Sequence, residues 1–257
     1  MGWEQAGRGW GAKALEWAYL VEPYARPAND LVFDRLGLVA EDRYLDVACG
    51  SGLAANTAKR RGAIVSGLDA SESLIRIARA RTPDGDFRVG NMFDLPFAEA
   101  SFNVVTSFNG IWKGCEQALE EVHRVMLGNG RLGLTFWGSL DRVGLLPYFM
   151  KIIELSPPSH QEASMEQGDT GNVVEQMLAK TGFSLLERGV VEVVNEWPDP
   201  ATAVRALASS GPSVPAIESV GYEGFCKALM EVIAPLYDPA LGVRIVSEFG
   251  WVVAERS

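Results

Sequence analysis

The chain has 257 residues, 47% of them apolar and 22% charged, enough for one large core and too apolar for a disordered chain. Its net charge of −10 is uneven, with 17 acids against 14 bases over residues 1–128 and 16 against 9 over 129–257. No basic surface of the kind that neutralises phosphates is expected, so nucleic acid and anionic membrane are excluded as partners, and a small neutral or cationic molecule, or a protein, suits the charge better.

The first residues, MGWEQAGRGWG, contain no apolar run of the signal-peptide type. A helix is predicted at Ala12–Leu20, with Leu15, Ala18 and Tyr19 on one face, and another over Asp30–Leu36, capped by Asn29 and stopped by Gly37. Arg43–Ala48 reads as the first strand. Leu53–Arg61 reads as a helix, because Lys59, Arg60 and Arg61 precede Gly62 in the usual order of end signals. A strand at Ala63–Leu68 leads to a helix capped by Ser71, with Leu74, Ile77 and Ala78 facing inward. Asp86–Val89 and Phe102–Ser107 are short strands. Ala118, Leu119, Val122, Val125 and Met126 then recur at helical spacing until Gly128-Asn129-Gly130, and Arg131–Trp137 alternates as a strand.

After residue 137 the rhythm changes. An apolar helix is expected around Leu145–Leu155, too short and too interrupted by Pro147, Lys151 and Glu154 to span a bilayer. Asn172–Thr181 reads as a helix and Ser184–Trp197 as a strand. Two helices follow between Pro200 and Leu236, then a last strand at Arg244–Ala254. The expectation is a single α/β domain over residues 1–257. Its doubly wound, Rossmann-like, mostly parallel sheet carries helical lid inserts at about 138–170 and 198–242. Three cysteines, with no paired spacing and no histidine cluster, point to a reducing cytoplasm and to no metal site.

The chemistry concentrates in Leu45-Asp46-Val47-Ala48-Cys49-Gly50-Ser51-Gly52, which joins the first strand to its helix. Glycines there let the backbone bend tightly and approach a ligand. Asp69 closes the second strand, where a carboxylate can accept from both ribose hydroxyls. Gly50-x-Gly52-x-x-Ala55 also fits a dinucleotide fingerprint, so an NAD-dependent oxidoreductase is one reading. Asp46 speaks against it, because a carboxylate in the turn repels a pyrophosphate and suits a cation. Two further stretches complete the pattern: Gly90-Asn91-Met92-Phe93-Asp94-Leu95-Pro96-Phe97, and Phe102–Phe108 followed by a helix ending in Glu121-Val122-His123-Arg124-Val125-Met126-Leu127-Gly128-Asn129-Gly130.

Taken in order, these motifs resemble the class I S-adenosylmethionine-dependent methyltransferases, in the small-molecule, type 11-like branch. The resemblance covers about residues 40–137 well and the rest loosely. It implies a seven-stranded sheet whose last strand is antiparallel, and methyl transfer from S-adenosylmethionine, with S-adenosylhomocysteine as product. Position by position, Asp46, Ala48, Gly50 and Gly52 would line the methionine and ribose side. Asp69 would hold the ribose hydroxyls, with Ala70 under the adenine. Asn91 and Met92 would meet the adenine, and Ser107 and Phe108 would close the methionine end. Ala48 stands where the family often has glycine, a change expected to cost little. Asn91 stands where an acid is common, and its amide oxygen can still accept.

Tyr24, Trp112 and Tyr148 fall in regions that border the substrate in related enzymes, with core packing as the competing reading. Many relatives carry a histidine soon after the fourth strand; here Asn109-Gly110-Ile111-Trp112-Lys113 has none. Either the acceptor needs little activation, or His160 in the first insert serves as base. Cys49 is read as a packed thiol and His123 as non-catalytic. A protein that keeps the fold and the cofactor site without methylating is the remaining alternative.

Overall fold

A computed structural model describes residues 2–159 and 173–257. Its sheet takes the order β3-β2-β1-β4-β5-β8-β6, built from β1 (Arg43–Val47), β2 (Ile64–Asp69), β3 (Asp86–Val89), β4 (Phe102–Phe108), β5 (Met126–Trp137), β6 (Phe183–Trp197) and β8 (Gly242–Arg256). A two-residue strand that the sequence did not signal, β7 (Tyr237–Asp238), pairs with β8 as an eighth member. Strands β1 to β5 run parallel, and β8 lies antiparallel between β5 and β6, as the resemblance implied. The order reverses at β1 and β4, so their carboxyl ends open the crevice where such sheets bind ligands.

The helices preceding β1 differ most from expectation. In place of one helix over Ala12–Leu20 there are α1 (Trp3–Gly11), α2 (Ala14–Glu16) and a π-helical turn at Trp17–Val21. Ala18 is buried, but Leu15 and Tyr19 of the expected inward face are exposed. The glycines of α1 are poor helix formers, yet a Cβ at Gly7 would lie 2.1 Å from the Ala70 carbonyl oxygen. Close packing on the sheet edge therefore outweighs propensity. Helix α3 (Arg26–Leu36) starts four residues earlier than expected, because Pro27 suits a first turn; Asn29 is buried inside the helix instead of capping it, and Gly37 stops it at φ 58°.

Helix α4 (Leu53–Arg60) and α5 (Glu72–Arg81) follow the turns after β1 and β2. Ser71 caps α5 as expected, accepting from the Leu74 amide at 3.3 Å, although Ile75 and not Ile77 completes its buried face. Helix α6 (Glu116–Val125) ends at Val125, and the Gly128-Asn129-Gly130 run lies inside β5, where the register against β4 slips.

Beyond β5, α7 (Leu146–Leu155) and α8 (Val173–Lys180) precede β6. Three helices, one more than expected, fill the second insert: α9 (Pro200–Leu207), α10 (Val214–Val220) and α11 (Tyr222–Ile233). Gly221 separates the last two at φ 74°, a break that the apolar spacing hides. Helices α7, α9, α10 and α11 share an apolar core with Val21, Trp197, Val243 and Ile245, distinct from the two clusters that flank the central strands. Among the described residues no helix is long and apolar enough to cross a membrane.

Candidate cofactor and acceptor site

Strand β1 runs into a turn that β2 holds from the side. The Cys49 amide donates to the Leu68 carbonyl at 3.0 Å, and the Gly52 amide to the Cys49 carbonyl at 2.9 Å. Gly52 has φ 75°, and a Cβ there would lie 2.8 Å from that of Ala78, so only glycine closes this turn without displacing α5.

Asp69 organises the turn. Its Oδ2 accepts from the Gly50 amide at 2.9 Å and its Oδ1 from the Ser71 amide at 2.8 Å. The side chain is 9% exposed. Burial raises its carboxyl to about 6, while the two amides pull it back down. Asp46 lies deeper, 1% exposed, with Oδ1 accepting weakly from the Thr106 hydroxyl at 3.4 Å and, among the described residues, no partner in hydrogen-bond geometry for Oδ2. Burial first, then the negative charge of Glu22, pushes its carboxyl well above the ordinary range. The Ser107 hydroxyl, also buried, has no partner among the described residues either. A Cβ on Gly110 would sit 2.5 Å from the Ala48 Cβ and 2.7 Å from Ser107 Oγ, so the end of β4 closes directly on the turn.

The fourth side of the turn is Glu22, which the sequence reading missed. Its Oε1 accepts from the Ser51 amide at 3.0 Å, and its Oε2 accepts from the Ser51 hydroxyl and from Arg81 Nη1, the latter at 2.7 Å. Arg81 Nη2 donates in turn to the Ala18 carbonyl at 2.9 Å. Burial raises the Glu22 carboxyl, and Ser51 and Arg81 lower it. In the sequence Arg81 reads as an ordinary last-turn cation of α5, and nothing in its spacing from Glu22 signals the pair. Together these contacts lay residues 3–25 over the turn, with Gly7 on Ala70 and Glu22 on Ser51.

The structure thus gathers Asp46, Ala48, Gly50, Gly52, Asp69, Ala70 and Ser107 at one end of the sheet. Ala48 is the first correction there: at φ 59° a non-glycine residue sits in the left-handed region, a cost of about 1–2 kcal/mol, where a small one was expected. Phe108 turns its ring onto Phe33 of α3, 5.5 Å between centroids. Asn91 Oδ1 already accepts from the Phe93 amide at 3.1 Å, and Met92 packs on the central core.

Of the substrate-pocket candidates, Tyr24 is half-buried with its ring 5.7 Å from that of Phe249. Trp112 is 43% exposed. Tyr148 is buried, and its hydroxyl meets Ser210 and Ser213 and donates to the Leu207 carbonyl, so it ties α7 to the second insert. His160 lies outside the described residues. His123 packs on Phe183 and accepts from Arg256 Nε at 3.3 Å, at the amino end of β6. The Cys49 thiol is buried and raised well above its ordinary value, as a packed cysteine would be.

A strand, a glycine turn, a helix and an acid at the next strand's end, set at the carboxyl edge of a doubly wound sheet, define a Rossmann-like nucleotide-cofactor protein. Three carboxylates lie at the turn, with Glu22 paired to Arg81 and with Asp46 and Asp69 pushed by burial toward their neutral forms.

Comparison with known proteins narrows the class. A methyltransferase-domain family model matches residues 45–134. A probable S-adenosylmethionine-dependent methyltransferase of Mycolicibacterium smegmatis is 34% identical over 193 residues, 69% of this chain and 75% of that one. The demethylmenaquinone methyltransferase of Chlorobaculum parvum is 41% identical over 93 residues, 35% of this chain and 39% of that protein, so the chain spans about two fifths of that relative's length. Among solved structures, geranyl diphosphate C-methyltransferase from Streptomyces coelicolor superposes with a TM-score of 0.53 at 19% identity, over 90% of this chain and 76% of that one. The [4+2]-cyclase SpnF superposes at 0.56 and 19% identity, over 90% and 80%. The chain belongs to the S-adenosylmethionine-dependent methyltransferases.

Proposed function

We propose that the protein transfers a methyl group from S-adenosylmethionine to a small-molecule acceptor, with Asp46, Ala48, Gly50, Gly52, Asp69, Ala70, Asn91, Met92, Ser107 and Phe108 as the cofactor-facing set. The observation that carries the reading is the carboxylate cluster: Asp69 held by two backbone amides at the end of β2, with Asp46 and Glu22 beside it. Asp69 keeps lone pairs for a ribose diol after accepting from both amides. The unpartnered oxygens of Asp46 and Ser107 fit the polar, partly cationic amino-acid end of the same ligand. The names of the relatives, which include demethylmenaquinone methyltransferases, support a small organic acceptor.

When bound, the cofactor supplies a methyl group already activated by its sulfonium. The chain's task is then to position the acceptor and exclude water. The N-terminal segment, held down by Glu22 and Arg81, does the excluding on one side, and α7 with α9–α11 serves as the lid on the other. A base is needed only for an acceptor that must lose a proton, and His160 is the candidate for it. The three cysteines, none paired, support a cytoplasmic location, and the acidic charge supports neither nucleic acid nor membrane as partner.

Calorimetric titration with S-adenosylhomocysteine and, separately, NADH tests the reading. Micromolar binding of the first, lost in Asp69→Ala, and none of the second is the expected result. NADH binding alone would overturn it. Cofactor binding without turnover across a broad acceptor panel would favour the non-methylating alternative.

A further inference from the structure

The sheet face beyond the cofactor turn holds polar side chains that no contact explains. Asn195 of β6 and Ser247 of β8 are each 1% exposed. Among the described residues, neither the Asn195 amide nitrogen, nor its oxygen, nor the Ser247 hydroxyl has a hydrogen-bond partner. Buried amides and hydroxyls are ordinarily bonded, so two neighbouring exceptions call for a partner that arrives from outside. They are neighbours by register: Asn195 pairs with Ile245 and Ser247 with Val193, which places the two diagonally on one face.

The surroundings define what that partner must be. On the same face Val193 packs with Phe249, and Tyr24 and Trp137 pack against them. Trp137 meets Phe249 at 4.8 Å and Phe149 at 5.2 Å, both edge to face. Trp197, two residues along from Asn195, donates from Nε1 to the Leu20 carbonyl at 2.7 Å and so anchors the N-terminal segment over this face. The charges of these two strands nearest the pair are turned away, and Glu187, on the pair's face but toward the other end of β6, is paired with Arg35 at 2.6 Å. Glu192, Glu196, Arg244 and Glu248 alternate onto the opposite face, where Arg244 and Glu196 pair at 2.8 Å. Of the charges on the covering segment, Glu22 is committed to Ser51 and Arg81, and Glu16 pairs with Lys13 and Arg205.

The geometry points to Asn195 and Ser247 as the acceptor-reading pair of this enzyme, and to an uncharged aromatic or conjugated acceptor bearing a carbonyl or hydroxyl oxygen. This rests on the methyl-transfer reading above and names its substrate class. An amide both donates and accepts and a hydroxyl does the same, so the pair reads either oxygen. Tyr24, Trp137, Phe149 and Phe249 supply edges and faces for a flat ring. A carboxylate or ammonium would enter with no opposite charge to meet it.

The test uses the full chain and 1-naphthol as probe, titrated with S-adenosylhomocysteine saturating. The wild type is expected to bind 1-naphthol at least tenfold more tightly than 1-naphthoate or 1-naphthylmethylammonium. Asn195→Leu is expected to weaken 1-naphthol at least tenfold, while S-adenosylhomocysteine affinity stays within twofold and the thermal midpoint does not fall. Ser247→Ala, a smaller deletion that keeps the face filled, is expected to weaken the probe about threefold and covers the case in which the leucine variant fails to fold. Equal binding of 1-naphthol by wild type and Ser247→Ala and Asn195→Leu, preference for a charged analogue, or no 1-naphthol binding by a protein that binds S-adenosylhomocysteine would each overturn the proposal. Asn195-dependent 1-naphthol binding by a protein that ignores S-adenosylhomocysteine would leave the pair standing and remove the methyl-transfer reading instead.

Discussion

The glycine turn after β1 and the face shared by β6 and β8 are both buried and both polar in part, and they differ in how far the chain bonds its own polar groups, Asp46 Oδ2 and the Ser107 hydroxyl being the turn's groups without a partner among the described residues. At the turn, Asp69 and Glu22 have their carboxylate oxygens engaged by amides, a hydroxyl or Arg81. On the β6–β8 face, Asn195 and Ser247 have no hydrogen-bond partner among the described residues. At the turn, backbone amides fix the carboxylate of Asp69, so most of that region is built from the chain's own hydrogen bonds. On the proposed reading, Asn195 and Ser247 meet the acceptor and stay unpaired until it comes. The first region is therefore expected to tolerate little change without losing shape, and the second to keep its shape but lose selectivity.

The sharpest way to break this contrast is to remove the counter-charge at the turn. Arg81→Met leaves Glu22 buried beside Asp46 and Asp69, and removing one partner of such a pair costs about 3 kcal/mol or more. Urea denaturation is expected to show that loss, with Glu22→Gln in the same background recovering part of it; an unchanged midpoint in Arg81→Met would mean the clasp is ornamental. Next comes Asp69→Ala, which strands the Gly50 and Ser71 amides and removes the diol acceptor. One hydrogen bond to a charged group, about 1.5–3 kcal/mol, corresponds to about 10- to 100-fold in S-adenosylhomocysteine affinity, so losing the diol's acceptor is expected to cost at least that.

The same residue gives a pH dependence of known sign. Asp69 titrates at about 6 in the fold against 3.8 unfolded, so the fold prefers its neutral form. Its contribution to stability is therefore fully present below pH 3.8 and lost as pH rises through about 6. Cofactor binding runs the other way, because the ionised carboxylate is the better acceptor for the ribose hydroxyls. Affinity for S-adenosylhomocysteine is expected to fall by up to about tenfold per pH unit below pH 6. Asp69→Asn should flatten that slope; a wild-type affinity that does not change between pH 5 and pH 7 would remove Asp69 from the binding step.

Legibility in the sequence divides along the same line. The turn and its acid were readable because a glycine at φ 75° and a carboxylate 19 residues after Gly50 leave a local signature that needs no tertiary knowledge. The central strands were readable because apolar runs in a parallel sheet are nearly continuous. Glu22 and Arg81 were not, since 59 residues separate them and each has an innocent local reading. The α1 helix failed for a related reason: Gly7 and Gly11 lower its propensity, and only the contact with Ala70 and Ser71 explains their presence. Asn195 was passed over because one amide in an alternating strand looks like a surface residue until the opposite strand and the N-terminal cover are in place.

A smaller effect should come at Asn91, where the acid usual in the resemblance is missing. Its amide oxygen is shared with the Phe93 amide. Asn91→Asp keeps that turn and offers a charged acceptor to the adenine amine, so S-adenosylhomocysteine should bind about threefold to tenfold more tightly. No gain in affinity would place the adenine elsewhere.

The smallest expected effect is also the cleanest test of how the turn is built. Ala48 sits at φ 59°, between Asp46 and the held amide of Gly50, with its Cβ against Gly110. Ala48→Gly removes about 1–2 kcal/mol of left-handed strain. It also frees the unfolded chain, which takes back about 0.4–1 kcal/mol. The net gain of about 0.5 kcal/mol should raise the thermal midpoint by about 1–2 °C. If the variant is instead less stable, the Ala48 Cβ is buttressing the end of β4 through Gly110, and the strain at this position is the cost of closing the methionine end of the site.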